Sequence, residues 1–420
     1  MCKNSAQVVF YPVGQGLFSS GCVHVDHDNS FHWVYDCGTL SGAAILNSQI
    51  GVYSERMNKT GKIDLLAISH FDADHISGIV NLLEKYSVGT ILLPYLPLYA
   101  RLIQAFAQQL TLDSPLFDFY VNPVAYLARR GEIQRVVFVQ SAPKGNAAKG
   151  DNEADIITGI DSDDKGLRIK TLRSLSDSES DEFEMLEQDS SVRMMLTPYG
   201  EALVYRECWE FAPYNDASFF PKISQNFIGK VSNYRHQLRH SIDPGARNIA
   251  LENIKLAYDN QFGRSGLKRN AISLFLYAGP TDVDEGKCVC SGCISCHIYN
   301  NRQWNVILED SSCGCCSILY TGDGDLSSGR KIDEMKNHFG NDRLNCVKLF
   351  QVMHHGSVKS SHKGVARKIA PCISIFNADP EDGRFSHPDS EVVKDFLPFG
   401  PILVDKHNGF ILRQRFGNEW

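Results

Sequence analysis

Ile63-Asp64-Leu65-Leu66-Ala67-Ile68-Ser69 runs straight into His70-Phe71-Asp72-Ala73-Asp74-His75, so a nearly unbroken apolar segment ends in six residues of which four carry imidazole or carboxylate heads. The apolar part reads as a buried strand, and the polar hexad sits at its carboxyl end, where α/β proteins place their sites. Polar heads beside a buried strand are costly unless they are paired or hold a cation. In a tight turn, alternate residues can point one way, so His70 and Asp72 could serve one cation while Asp74 and His75 serve its neighbour. Imidazole with carboxylate suits zinc, manganese or iron; an all-oxygen magnesium site would not need the histidines. Ile76, Ile79, Leu82 and Leu83 then recur at helical spacing, predicting a helix over Ile76 to Tyr86.

The same arrangement recurs further along. Ile318-Leu319-Tyr320-Thr321-Gly322-Asp323 is a strand ending in a carboxylate after glycine, a group able to bridge two cations. Val347 to Val352 leads into Met353-His354-His355-Gly356-Ser357, and Asp36 ends an early strand, Phe31 to Tyr35. His387, in Phe385-Ser386-His387-Pro388, completes a set of polar residues placed where apolar strands stop. Around them, strands are expected at Gln7 to Val13, Cys22 to Asp26, Gly89 to Leu93, Gln134 to Gln140, Ile272 to Tyr277, Trp304 to Glu309 and Ile373 to Phe376. Helices are expected at Ala43 to Met57, Leu98 to Leu110, Phe219 to His240 and Asn248 to Gln261. Alternation of this kind defines an α/β protein, and no fixed internal period suggests a solenoid or propeller.

The 420 residues are 43% hydrophobic and 22% charged, the composition of an ordinary globular chain, with net charge -7. That charge is local: Asp151 to Ser190 holds 13 acidic and 4 basic residues, leaving the rest at +2, so acidity does not exclude a phosphate-bearing substrate. Ser174 to Ser191 reads as an exposed acidic arm. No apolar run reaches the roughly 20 residues of a membrane span, and no secretory pattern opens the sequence, so no membrane partner and a reducing, cytoplasmic location are expected. Seven of the 13 cysteines (Cys288, Cys290, Cys293, Cys296, Cys313, Cys315, Cys316) fall within 29 residues. Their Cys-x2-Cys spacings suit a structural zinc stapling a hairpin around Trp304 to Glu309; an iron-sulfur cluster, vicinal-thiol redox sensing and no metal are the alternatives.

Taken in order, Gly14-Gln15-Gly16, Tyr35-Asp36-Cys37-Gly38, the hexad, Thr321-Gly322-Asp323, His354-His355-Gly356-Ser357 and Ser386-His387-Pro388 resemble the motifs of the metallo-β-lactamase superfamily. More narrowly, Asp72, standing where the commonest hexad has its second histidine, resembles the branch of the ComEC competence DNA-uptake hydrolase domain and the phosphorylcholine esterases. The resemblance covers roughly 7 to 140 and 266 to 415. It implies a four-layer αββα sandwich whose halves, 1-140 and 266-420, are separated by an inserted α+β segment, 141-265, with a Cys-rich hairpin at 287-316.

The resemblance also implies two divalent cations, zinc or manganese. His70, Asp72 and Asp323 would hold the first, and Asp74, His75, Asp323 and His355 the second. Asn270 stands where a further histidine often completes the first site, which should therefore bind more loosely. Two cations lower the pKa of a shared water toward about 7 and clamp the oxygens of a displacement at phosphorus. The expected function is hydrolysis by a metal-activated hydroxide, as a phosphodiesterase or nuclease. Asp74 would orient the hydroxide, His354 would donate to a phosphoryl oxygen and His387 would contact substrate. Asp36, Asn270, Ser273 and Ser357 would lie behind the ligands or against substrate. Arg264, Lys268, Arg269, Lys359, Lys363, Arg367 and Lys368 near these motifs suit a polyanion, a nucleic acid or nucleotide. The alternatives are a lactonase or thioesterase on the same scaffold, or a regulatory protein with the Cys-rich or acidic insertion as its surface for a protein partner.

Overall fold

The computed structural model describes residues 4–25, 29–56, 61–141, 158–172, 174–186, 192–215, 223–240, 243–262, 272–281, 297–301, 303–309 and 317–416. Asn270, Arg264, Lys268, Arg269 and the seven cysteines from Cys288 to Cys316 lie outside the described residues.

In chain order the strands are β1 (Asn4–Phe10), β2 (Phe18–Val25), β3 (Asn29–Cys37), β4 (Lys62–Ala67), β5 (Ser87–Pro94), β6 (Ile133–Val139), β7 (Thr158–Ser162), β8 (Leu167–Leu172), β9 (Arg193–Thr197) and β10 (Leu203–Tyr205). They continue with β11 (Trp209–Asn215), β12 (Leu274–Pro280), β13 (His297–Asn301), β14 (Trp304–Glu309), β15 (Ser317–Tyr320), β16 (Val347–Gln351), β17 (Ile373–Asn377), β18 (Pro401–Val404) and β19 (Gly409–Phe416). The helices are α1 (Ala43–Arg56), α2 (Ala73–Ile76), α3 (Ile79–Leu83), α4 (Leu98–Ala107), α5 (Pro115–Val121), α6 (Pro123–Ala128), α7 (Asp177–Leu186), α8 (Gln225–His240), α9 (Pro244–Phe262), α10 (Gly329–Asn345), α11 (Val365–Ile369) and α12 (Ser390–Phe396). Among the described residues, one sheet orders its strands β13-β14-β19-β1-β2-β3-β4-β5-β6-β9, and the other β18-β17-β16-β15-β12-β11-β10-β8-β7.

Strand alternation builds the layers. Leu65 and Ala67 of β4 point with Trp33 and Tyr35 of β3 into a core shared with Leu276, Ile318 and Leu349 of the second sheet. Leu66 and Ile68 point the other way, into a core with Leu46 of α1, Leu82 of α3, Leu102 of α4 and Leu251 of α9. The outer face of the second sheet packs Leu319 and Phe350 against Met335 of α10, Ile369 of α11 and Phe396 of α12. Helix, sheet, sheet, helix is the expected αββα sandwich, each sheet burying both faces.

Three departures have local causes. The helix expected over Ile76 to Tyr86 is two short ones, because the chain breaks at Ser77 and Gly78 to bond the loop after β3. There the Gly78 N–H donates to the Cys37 carbonyl at 2.8 Å and the Thr39 N–H to the Ser77 hydroxyl at 3.0 Å. The acidic stretch expected as an exposed arm contains α7, whose Glu182 is 1% exposed. Glu182 accepts from Arg101 at 2.6 Å and from the Leu98 N–H at 2.9 Å, so its charge is satisfied by a buried guanidinium and the N-terminus of α4. Within 141–265, β9 joins the first sheet and β7, β8, β10 and β11 the second, while α8 and α9 pack on the helical layer. The hairpin around Trp304 is present as β13 and β14, with β14 parallel to β19. Among the described residues, no helix is long and apolar enough to cross a membrane.

Candidate metal centre

β3, β4, β5, β6 and β9 run parallel in the first sheet, and β15, β16, β17 and β18 in the second. The polar residues collect where the carboxyl ends of the two parallel sets meet. Asp36 ends β3, the hexad follows β4, Asp323 follows β15, and His354 and His355 follow β16.

Strained turns hold these side chains. Asp36, His354 and His355 have φ of 54°, 48° and 55°, left-handed values that cost a non-glycine residue about 1–3 kcal/mol and persist only where surroundings enforce them. Gln351 supplies much of that enforcement: its Oε1 accepts from the N–H groups of Thr321 (2.8 Å) and Gly322 (2.7 Å), and its Nε2 donates to the Val352 carbonyl (2.9 Å). One buried amide thus clamps the turn leading to Asp323 and the turn leading to His354. Gly322 has φ of +54°, and a Cβ there would lie 2.4 Å from Ser273 Oγ and 2.8 Å from Ser69 Cβ, so only glycine fits between the two sheets at this point. Gly38 plays the same part below the hexad, where a Cβ would lie 2.4 Å from the His75 nitrogen.

Four imidazoles are each anchored through Nδ1. His75 Nδ1 lies 2.7 Å from Asp36 Oδ2, and His355 Nδ1 lies 2.5 Å from the Asn377 carbonyl. His70 Nδ1 lies 2.8 Å from Ser69 Oγ and His354 Nδ1 2.8 Å from Ser360 Oγ. Proton counting fixes three tautomers. The Asn377 carbonyl only accepts, so His355 carries its proton on Nδ1; the Asp36 carboxylate demands the same of His75. Ser69 gives its single hydroxyl proton to Asp36 at 2.6 Å, so His70 Nδ1 must donate to Ser69. Each of these rings is left with Nε2 facing inward, the arrangement of imidazoles that ligate a metal.

The inward Nε2 atoms divide over one carboxylate. Asp323 Oδ1 lies 3.1 Å from His75 and 3.6 Å from His355, and Oδ2 lies 3.7 Å from His354 and 3.8 Å from His70. Asp74 Oδ2 is 3.1 Å from His355 Nε2. Ligand-type atoms of Asp74, His75, Asp323 and His355 all lie within 4.8 Å of one another, as do those of His70, Asp72 and Asp74. Gln108 donates to Asp72 and so turns it.

Electrostatics follow from burial and proximity. Burial opposes charge throughout, but the carboxylates of Asp323, Asp36 and Asp74 outweigh it at His75 and hold that imidazole's pKa well above the ordinary value. His355 is raised in the same way, against burial, by Asp323 and Asp74. Asp323 falls well below the carboxylate range because His354, His75 and His355 overcome its desolvation. His70 is pushed down to about 3, by burial first and then by the His75 charge, and its buried Nε2 has no hydrogen-bond partner among the described residues. A neutral, buried, unsatisfied imidazole nitrogen facing a carboxylate is a poor structural element and a good ligand. The donor set therefore fits a zinc- or manganese-type divalent cation.

Of the residues singled out in sequence, His70, Asp72, Asp74, His75, Asp323, His354 and His355 meet here, with Asp36 behind His75. Ser273 donates to the Thr321 carbonyl at 3.1 Å and Ser357 donates its N–H to the His354 carbonyl at 2.9 Å, so both shape turns. His387 stands beside His354, ring centroids 6.0 Å apart, and lies 3.6 Å from Asp389. Sequence reading missed Ser69, Gln351, Asn377, Ser360 and Gln108. Ser69 and Gln351 could have been found as polar residues ending otherwise apolar strands; Asn377 contributes only its backbone and leaves no sequence signal.

No family model matches the chain, and no curated protein sequence matches it either. Among solved structures it is similar to human tRNase Z, short form, at 10% identity and a TM-score of 0.37, over 96% of this chain and 98% of that one. It is similar to the metallo-β-lactamase fold protein YhfI from Bacillus subtilis at 12% identity and a TM-score of 0.33, over 97% and 99%. A long form RNase Z from yeast aligns at 8% identity and a TM-score of 0.29, over 82% of this chain and 32% of that one. At these values the likeness carries no argument about chemistry, which rests on the site itself.

Proposed function

We propose that this protein is a metal-dependent hydrolase of the metallo-β-lactamase superfamily that cleaves phosphodiesters, with nucleic acid or nucleotides as its substrate class. The observation that carries the reading is the set of Nδ1-anchored imidazoles presenting Nε2 to the Asp74 and Asp323 carboxylates. His70, Asp72 and Asp323 would hold one cation, and Asp74, His75, Asp323 and His355 the other. When bound, the cations would supply an acidified water and positive charge for phosphoryl oxygens.

The chain's own groups do the rest. Asp74 accepts a hydrogen bond from the attacking water and fixes its direction. The His354 side chain is 24% exposed, against 4% or less for His70, His75 and His355, so it is the imidazole of the four that reaches substrate. With Nδ1 held by Ser360, its Nε2 is placed to give a proton to a phosphoryl or leaving oxygen. His387 contacts substrate beside it. Lys363 and Lys394 line a hollow of about 520 Å³ together with Glu391 and Asp395, and Lys363 and Arg367 a second of about 270 Å³ with Asp395; Lys359 is exposed nearby, whereas Lys368 is paired with Asp333. Carboxylates offset the cations of these hollows, so the phosphate-bearing substrate class rests on the imidazole and carboxylate centre and not on a basic groove.

The ComEC-like branch, the division at 140 and 265, and a structural zinc on the Cys288 to Cys316 group belong to the same proposal. The test is hydrolysis of bis(p-nitrophenyl) phosphate and a single-stranded oligonucleotide by manganese- or zinc-loaded protein. Asp323→Asn and His75→Ala should abolish activity in folded protein. A folded, metal-loaded protein that is inactive on phosphodiesters but hydrolyses a lactone or thioester would replace this reading.

A further inference from the structure

β2 and β3 place a second set of ligand-type atoms away from the centre just described. Cys22 and Ser20 share a face of β2 with His24, and Cys22 pairs directly with His32 across the antiparallel ladder. His32 precedes Asp36 by four residues on the same strand, about 13 Å at strand rise. Both rings approach the sulfur: Cys22 Sγ lies 3.3 Å from His24 Nε2 and 3.6 Å from His32 Nε2, with the ring centroids 6.5 Å apart and the planes nearly perpendicular at 87°.

This arrangement is poorly explained as packing. A thiol has one proton to give, yet two ring nitrogens face it. His32 is 6% exposed, its Nδ1 has no partner among the described residues, and its one directed side-chain contact is the sulfur. A buried imidazole held in this way costs stability that a leucine would not. Nor is Cys22 placed as a nucleophile: it is 2% exposed, and burial pushes its thiol up to about 12, so it is neither reachable nor ionised without a cation.

We propose that Cys22, His24 and His32 form a zinc-type site separate from the His/Asp centre. Zinc bonds of about 2.3 Å to sulfur and about 2.0 Å to nitrogen give a sulfur-to-nitrogen edge of about 3.5 Å in a tetrahedron, close to the separation from Cys22 to each ring nitrogen. The two rings, with centroids 6.5 Å apart, must draw together to share the ion. His24 is exposed, so its ring can turn onto a shared ion without repacking the core, and the remaining position faces solvent on that side. Asp64 is not a fourth ligand, because its carboxylate accepts the His32 N–H at 2.9 Å and pairs with Lys165 at 3.2 Å. That pairing also offsets the charge of the Lys165 ammonium, which would otherwise oppose a cation beside the sulfur. Binding ionises the thiol and releases one proton to solvent. The ion would tie β2 to β3 in the half of their ladder nearest the connection between them.

Cobalt(II) titration of the chelator-treated full chain tests this, because thiolate ligation gives a sulfur-to-cobalt charge-transfer band that the His/Asp centre cannot. Cys22→Ser should bind one equivalent fewer than wild type and lose part of that band, while keeping the phosphodiesterase centre loaded. His24→Ala, at an exposed position that does not threaten folding, should weaken the same equivalent at least tenfold. Unchanged stoichiometry and unchanged charge-transfer absorption in His24→Ala and in folded Cys22→Ser would overturn the site.

Discussion

Asp36 Oδ2 lies 2.7 Å from His75 Nδ1 while accepting the Ser69 hydroxyl at 2.6 Å, so one carboxylate at the end of β3 orients two imidazoles, His75 directly and His70 through Ser69. Removing its charge should loosen both rings. Asp36→Asn is expected to weaken cation binding about 10- to 100-fold, read by competition with a chromogenic chelator, with the fold intact by circular dichroism. An unchanged affinity would show that Asp36 serves packing alone.

Cation binding should be linked to pH. His75 and His355 are held above the ordinary imidazole range by their carboxylates, and a ligand imidazole must give up its Nε2 proton. Affinity should rise with pH, and calorimetry in buffers of different ionisation enthalpy should show proton release. In chelator-treated protein these raised pKa values contribute stability that is complete below about pH 6.5 and is lost as pH rises through the folded values. Its Tm should therefore fall on the alkaline side, and metal loading should remove that fall.

Gly322→Ala tests the turn that carries Asp323. A Cβ 2.4 Å from Ser273 Oγ, at φ of +54°, should cost about 1–3 kcal/mol and displace the carboxylate shared by the imidazoles. Thermal unfolding and metal content should fall together. A drop in stability with full metal content would place the role of Gly322 in packing only.

Arg101 and Glu182 should matter to stability and not to chemistry. Both are 1% exposed, and Arg101 also donates to the carbonyls of Leu96, Tyr120 and Val121. Glu182→Ala leaves a buried guanidinium without its counter-charge and should cost about 3–5 kcal/mol by denaturant unfolding, with metal content per folded molecule unchanged.

Much of the centre was legible because its residues follow apolar strands: His70 to His75 after β4, Asp323 after β15, His354 and His355 after β16. The sandwich was legible in the alternation of strands and helices. The carboxylate-to-hydroxyl relay from Asp36 through Ser69 was not, since it joins residues 33 positions apart through a lone serine. The split of the helix after the hexad was hidden because periodicity at Ile76, Ile79, Leu82 and Leu83 survives a break that tertiary bonds to Cys37 and Thr39 impose. β7, β8 and β11 escaped notice because composition between 141 and 265 reads as an insertion, whereas pairing partners that complete a sheet leave no mark on a strand's own sequence.

The central claim is that Asp74, Asp323 and the surrounding imidazoles hold the cations that hydrolysis needs. The most direct measurement is bis(p-nitrophenyl) phosphate hydrolysis followed while manganese(II) is titrated into chelator-treated protein, with bound metal quantified at each point. Activity should rise with ions bound at this centre, and Asp323→Asn should lose both the ions and the activity while Cys22→Ser keeps the activity. Full activity in metal-free protein, or in Asp323→Asn, would contradict the account.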